Sequence, residues 1–331
     1  MAERASVFEG LQLGVETTPG TPPAAGATKK LTSLILTETI DATTTTFKTS
    51  GGKFPVTTAL GETSWTAKAD GPLTFNEFAY ILSSAVQGHI TPTEIGTTGA
   101  YTWTFKPNQS APDTLETYEI QTGSTVRAQQ VNYASFTDLE ITVTRKEAKF
   151  TASLIGQRLQ DGITLTAAPT TIPIVPMTPN MCTVTCDTTA AAIGTTKLTR
   201  LLSFKFTMKG RLGPLWVINK TNPSWAATVE KAPTTEVTLE LEATTTGMEF
   251  LTRLRTGTKL FLRLSFVGPV ITGVTTYLFQ LTLCCEVTKS GAFADKTGVY
   301  AVPFTLTVIE STTTTFGAAI KAKLVNKIST L

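Results

Sequence analysis

The sequence predicts a mainly β chain, built as a β-sandwich or barrel with a flanking α-helix. Three observations carry this. Threonine supplies 68 of the 331 residues; it is β-branched and polar, and suits a pleated surface that is half exposed or packed against another chain. Short runs of apolar and β-branched residues recur along the chain, each ending near turn residues. Only one segment carries a strong helical period.

The first 30 residues read as an extended arm. Gly14-Val15-Glu16-Thr17-Thr18-Pro19-Gly20-Thr21-Pro22 is followed by Pro23, and Pro-Gly and Pro-Pro steps forbid regular structure. Strands are expected at 31–40, 54–69, 101–106, 115–122, 128–133 and 136–145. Ser50-Gly51-Gly52-Lys53 marks the tip of a long excursion spanning 41–57. A helix is expected over 73–87: Thr74 and Glu77 form a capping box, and Phe75, Phe78, Ala79, Leu82, Ala85 and Val86 make one apolar stripe ahead of a stop at Gly88.

The second half echoes this plan. Lys197-Leu198-Thr199-Arg200-Leu201 mirrors Lys30-Leu31-Thr32-Ser33-Leu34. A strand at 236–243 precedes a shorter helix over 246–254, ended by Gly257, and strands follow at 259–267, 276–287 and 299–309. From Thr312 the chain returns as a final strand or tail. The echo predicts an internal duplication, with a first domain at 31–166 and a second at 197–331. The segment 167–196, with Pro169, Pro173, Pro176 and Pro179, is the linker.

Composition bounds the function. Charged residues make up 16% of the chain, against about 25% in ordinary soluble domains. Free monomers use charge to blunt sheet edges, so many strands with few charges predict surfaces that rest against neighbours. The net charge is +3, and the basic residues form only adjacent pairs, Lys29-Lys30 and Arg145-Lys146; that is no nucleic-acid footprint. No apolar run reaches the roughly 20 residues of a membrane helix, and no strands show a lipid-facing band with aromatic girdles. Met1–Ser6 has no apolar signal-peptide core, which points to a cytoplasmic origin and free thiols.

Catalytic, cofactor and metal sites are not expected. His89 is the sole histidine, and it reads as a loop residue after a helix stop. There is no nucleophile elbow, phosphate loop or zinc-protease motif. Cys182 and Cys186 are four apart, and Cys284 and Cys285 are adjacent; a four-thiol zinc site using a vicinal pair is awkward for tetrahedral geometry. They read as structural thiols, and Trp65, Trp103, Trp216 and Trp225 as core aromatics. The acids are more informative. Glu236, Glu240 and Glu242 alternate with Val237, Leu239 and Leu241, and Asp138 and Glu140 alternate with Leu139 and Ile141, so strand period puts each set on one face. Such faces are paired catalytic carboxylates, a weak reading without aromatic sugar platforms, solvated strand surfaces, or an acidic channel wall, which would repel a DNA phosphate chain and let it slide.

The arm with Val15, Glu16, Pro19 and Thr21, the excursion with Ser50-Gly51-Gly52, the strand Glu62–Ala69 running into the helix, and the strands Phe136–Ile155 with Leu139-Glu140-Ile141 together resemble the major tail tube proteins of long-tailed (siphovirus-like) bacteriophages. The resemblance covers most of the chain in plan and is specific in the first 90 residues. It implies a virion structural subunit, assembled in the bacterial host cytoplasm, that stacks rings around a channel for DNA. The rings are hexamers, or trimers of duplicated chains. Ring stacking falls to Val15, Glu16, Pro19, Thr21, Thr45, Phe47, Ser50, Gly51, Gly52 and Lys53. The lumen falls to Asp138, Glu140, Glu236, Glu240 and Glu242. Implied partners are further copies of the chain and the tape-measure, terminator and distal tail proteins, with DNA as non-specific cargo and no membrane insertion. The competing class is a phage decoration or fibre protein, or a carbohydrate-binding β-sandwich module.

Overall fold

In the computed structural model, the described residues are 10–124, 126–157, 159–218, 224–296, 298–313 and 315–331. The chain is mainly β, with two α-helices among these residues. In the first half the elements are β1 (Gly10–Val15), β2 (Lys29–Leu31), β3 (Ile35–Phe47), β4 (Thr57–Pro72), α1 (Phe78–Ala85), β5 (Thr93–Glu94), β6 (Tyr101–Phe105), β7 (Tyr118–Gly123), β8 (Ala128–Thr144), β9 (Ala148–Gly156), β10 (Gln160–Ile163) and β11 (Thr170–Thr171). The second half comprises β12 (Cys182–Asp187), β13 (Leu201–Lys209), β14 (Leu212–Val217), β15 (Ser224–Glu230), β16 (Thr234–Glu242), α2 (Thr245–Thr256), β17 (Lys259–Thr272), β18 (Thr275–Ser290), β19 (Ala294–Lys296), β20 (Val299–Val308) and β21 (Ile320–Asn326).

The pairing order repeats. In the first half, antiparallel neighbours run β2-β1-β7-β8-β9-β4-β3. In the second, Lys197 bridges to β12, and the order continues β12-β17-β18-β20-β16-β13. Each helix follows the corresponding strand, α1 after β4 and α2 after β16. Even an irregularity is shared. On β8 the ladder to β9 slips one residue between Phe136, opposite Leu154, and Asp138, opposite Ser153. On β18 the ladder to β20 slips between Val287, opposite Leu306, and Lys289, opposite Thr305. Unequal insertions separate the halves: β5 and β6 lie between α1 and β7, while only Gly257 and Thr258 separate α2 from β17.

The two units are not beads on a linker. β13 adds to the edge of β8, from Ser203 opposite Thr144 to Met208 opposite Leu139, and β6 of the first unit pairs with β21 of the second. One core spans both, including Trp65, Phe78, Phe150, Phe206, Leu239 and Phe279. The segment expected as a linker is woven into the fold. β11 pairs with β2, Phe75 N–H donates to the Val175 carbonyl, Met177 N–H donates to that of Leu73, and β12 pairs with β17. Its prolines space the strands rather than free the chain. Likewise residues 10–15 of the expected arm form a strand between β2 and β7; residues 1–9 lie outside the described set. The large sheet is open, and no closed barrel forms among the described residues.

The first helix also differs from expectation. It is shorter, and all eight of its residues are buried, so there is no polar face. Its back is covered, and the polar groups there close backbone bonds. Ser84 Oγ accepts from Phe136 N–H at 3.0 Å, Tyr118 Oη donates to the Tyr80 carbonyl at 2.7 Å, and Glu116 N–H donates to the Ser83 carbonyl at 3.2 Å. Glu77 does not close a capping box. Its carboxylate accepts from Thr32 N–H at 2.7 Å and from Ser33 N–H and Oγ, fixing the turn into β3. The second helix ends as expected, with Gly257 in the left-handed region at φ 59°.

Candidate functional site: sheet face, free edges and hairpins

The five acids proposed for a channel wall lie on one face of one sheet. Thr207 on β13 stands opposite Glu140 on one side and Glu236 on the other, and directly paired residues share a face. The alternating neighbours Leu139, Ile141, Val237, Leu239 and Leu241 are buried on the other side. The face is not made of acids alone, however. Lys205 Nζ lies 2.9 Å from Glu140, Lys296 Nζ 3.2 Å from Glu240, and Arg200 Nη1 3.2 Å from Glu242. Asp138 accepts from Gly210 N–H at 2.7 Å. Strand period found the acids; their basic partners come from other strands, or from beyond a bulge, and only the register reveals them. The result is a Thr-rich face on which three of the five acids are paired with a base.

The residues proposed for ring stacking divide into two groups. Glu16 is committed inside the chain: its carboxylate accepts from Gly20 N–H at 2.8 Å, Thr117 Oγ1 at 2.8 Å and Tyr133 N–H at 2.8 Å. Burial pushes its carboxyl above the usual range against those three bonds. It organises the 16–20 turn and is not available to a neighbour. Val15 is half-buried and opposite Tyr118 in the sheet. Pro19 and Thr21, by contrast, are exposed on the loop that Glu16 anchors.

The excursion forms the end of the β3–β4 hairpin, which stays paired out to Phe47 opposite Thr57. Thr45, Phe47, Ser50, Gly51 and Lys53 are exposed there, and Gly52 is half-buried. Gly51 sits at φ 78° in the tip turn, and Gly52 N–H donates to the Thr49 carbonyl. Phe47, Phe54, Val56 and Leu60 are large apolar side chains left in solvent along this hairpin. Sequence reading did not single out the counterpart in the second unit, the β14–β15 hairpin, although Trp216 and the alternation of 224–230 were a signal. It folds back onto the first unit. Arg211, at its base, is 2% exposed and reaches Asp113 at 2.6 Å, Glu230 at 3.1 Å and the carbonyls of Ala85 and Val86 at the end of α1. Thr228 N–H also donates to Tyr133 Oη.

The other residues singled out in the sequence lie in a loop, in strands or in the core. His89 N–H donates to Glu116 Oε1 at 2.8 Å, and its ring lies 3.8 Å from the same oxygen. Trp65 and Trp103 are core residues, and Trp103 Nε1 donates to Asn326 Oδ1 and the Ile328 carbonyl. The side chain of Trp225 lies outside the described residues. The cysteines are free. Burial holds Cys182 up at about 12 and Cys186 at about 11, so both are protonated thiols at neutral pH. No group of three or more metal-ligating side chains occurs among the described residues.

No protein-family model matches this chain, and no curated protein is similar to it in sequence at a significant level.

Proposed function

We propose that this chain is a structural subunit of a bacteriophage tail tube, which associates with copies of itself into rings, stacked to enclose a channel for DNA. The observation that supports this reading is the open repeat. Two similar units are joined laterally by β8 to β13, with β6 to β21 as a second pairing between them, and neither the outer side of β3 nor that of β18 beyond Glu286 carries a further strand ladder among the described residues. A repeat that joins its units head to tail and leaves both ends open either closes into a ring or grows as a filament. Three copies would supply six units. Closure removes the exposed sheet edges, which sparse charge does little to protect.

On this reading the Thr-rich face with Asp138, Glu140, Glu236, Glu240 and Glu242 lines the channel, three of the five being paired to Lys205, Lys296 and Arg200. A wall whose basic groups are already paired offers phosphate little counterion-releasing contact. The Pro19–Thr21 loop and the hairpin tip from Thr45 to Lys53 make contact between rings. The role is passive and needs no catalytic group.

Negative-stain electron microscopy over a concentration series tests this. Hollow rings or tubes with threefold or sixfold end views are the expected result. Solid monodisperse particles at every concentration would overturn it in favour of a decoration, fibre or carbohydrate-binding module.

A further inference from the structure

We infer that the cavity where β12, the start of β13 and the end of β8 meet is a binding site for a small anion with an apolar body, of the class of a medium-chain carboxylate. The site goes beyond the tube reading and does not depend on it.

The cavity exists because two ladders run out side by side. The stretch 196–198 adds to the outer edge of β12: Cys186 N–H donates to the Thr196 carbonyl and Leu198 N–H to the Val184 carbonyl, both at 2.9 Å. The pairing goes no further toward Cys182. On the other side the β8–β13 ladder ends at Thr144 opposite Ser203, so Leu201 and Leu202 lie beyond its last pair. The gap left between the strand ends encloses about 360 Å³ and is closed at its borders by Arg145 and Pro179. Small-molecule sites occupy roughly 300–1,000 Å³ and favour junctions between structural units. Here Val143 and Arg145 come from the first unit, and Val184, Leu198 and Phe204 from the second.

The lining divides by chemistry. Val143, Val184, Leu198 and Phe204 are buried and form an apolar floor. Arg145 and Lys197 are exposed and form the rim. No Asp or Glu belongs to the lining. Bases close by are committed elsewhere: Lys205 to Glu140, Arg200 to Glu242 and Lys149 to Glu147. Arg145 and Lys197 form no ion pair among the described residues. Two cations without acids, set over an apolar floor, match a ligand with a negative head and an apolar body. A neutral apolar molecule would leave the cations unused, and a polyanion such as DNA would leave the floor empty. Exposed ion contacts are individually weak. Burial of the apolar body therefore supplies most of the affinity, and the rim supplies the preference for an anion.

The test is calorimetric titration of the full-length chain with decanoate, with decanol as the uncharged control. One decanoate should bind per chain, and decanol more weakly. The Arg145→Ala/Lys197→Ala double variant should bind decanoate about tenfold more weakly, as expected for the loss of two exposed ion contacts. Both positions are exposed, so unchanged melting of the unliganded variant shows that its fold is intact. Cys182 supplies a readout at the site itself, because it belongs to the lining and is the one cysteine of the four that is not buried. Decanoate should slow its alkylation by iodoacetamide. Undiminished binding in the double variant, or equal binding of decanol, would overturn the assignment of an anion. Binding that leaves alkylation of Cys182 unchanged would place the ligand elsewhere and overturn the site. No binding of decanoate would overturn both.

Discussion

Phe136 and Val287 occupy the same place in the repeat: each is a buried residue on the long strand of its unit, followed at once by a one-residue bulge against the same partner strand. A bulge re-aims every residue beyond it. In β8 that puts Asp138 and Glu140 on the polar face and Leu139 and Ile141 in the core. In β18 the strand ends at Ser290, so little lies beyond the bulge to re-aim.

Deleting the bulge residue should restore a regular ladder. Without Thr137, Phe136 stays opposite Leu154 and Asp138 opposite Ser153, which are neighbours on β9, so no side chain changes face. What is lost is the Thr137 Oγ1 bond to the Ser153 carbonyl and the bond its own carbonyl accepts from Arg211 N–H, about 1 kcal/mol each. Loss of Thr288 likewise keeps Val287 opposite Leu306 and Lys289 opposite Thr305. Both deletions should fold, the first less stable than the second, and thermal melting checks it; an unfolded Thr137 deletion would show that the bulge itself is required.

Arg211 is the second test of how the units are bound. Its guanidinium serves two carboxylates and two helix-end carbonyls. Arg211→Ala strands the Asp113 carboxylate, itself 1% exposed, and removing one partner of such a pair costs about 3–5 kcal/mol. Arg211→Lys should recover little, because an ammonium cannot reproduce the planar fork. Chemical denaturation gives the magnitude. Faster proteolysis within 212–230 would identify the hairpin as the part released.

Much of the fold was legible because local pattern decides it. The alternation of Val237, Leu239 and Leu241 gave β16, and Gly257 gave the end of α2. What was not legible depends on partners distant in sequence. The helix over 78–85 shows a stripe, yet it is covered on its back by β6 and the 116–118 segment, which no periodicity reveals. Pro173 and Pro176 look like linker residues, but the carbonyl of Pro173 accepts from Asn76 Nδ2. The acidic face was visible as acids alone because Lys205 and Arg200 meet it only through the β13–β16 and β13–β8 registers. Glu16 looked like part of a free strap because its three donors include Thr117 and Tyr133, a hundred residues on.

Buried carboxylates give the pH dependence an unusual sign. Burial raises Glu119 above its ordinary 4.5, with the Glu16 charge adding to it, and Glu16 and Glu77 are raised for the same leading reason. The folded chain then binds these protons more tightly than the unfolded one. Their contribution is fully present below pH 4.5 and is lost as pH rises through the folded-state values. Glu119→Gln keeps the volume and removes the charge, so it should raise the melting temperature at neutral pH and leave it unchanged well below pH 4.5. An equal shift at both pH values would show that titration of Glu119 is not the cause.

The hairpin tip separates stacking from ring closure. Thr49–Lys53 make only local turn contacts, including Gly52 N–H to the Thr49 carbonyl and Lys53 over the Phe54 ring at 5.6 Å. Replacing Thr49–Lys53 by a two-residue Asn-Gly turn, which suits a hairpin, should leave subunit stability within about 0.5 kcal/mol of the parent. The strands of the lateral β8–β13 junction are untouched, so rings should still form. Tubes should fail to lengthen as concentration rises, because the exposed tip residues Ser50, Gly51 and Lys53 are no longer there to reach a second ring. Length distributions from micrographs decide the matter: tubes as long as the parent's would remove the tip from the stacking contact and leave the Pro19–Thr21 loop to carry it.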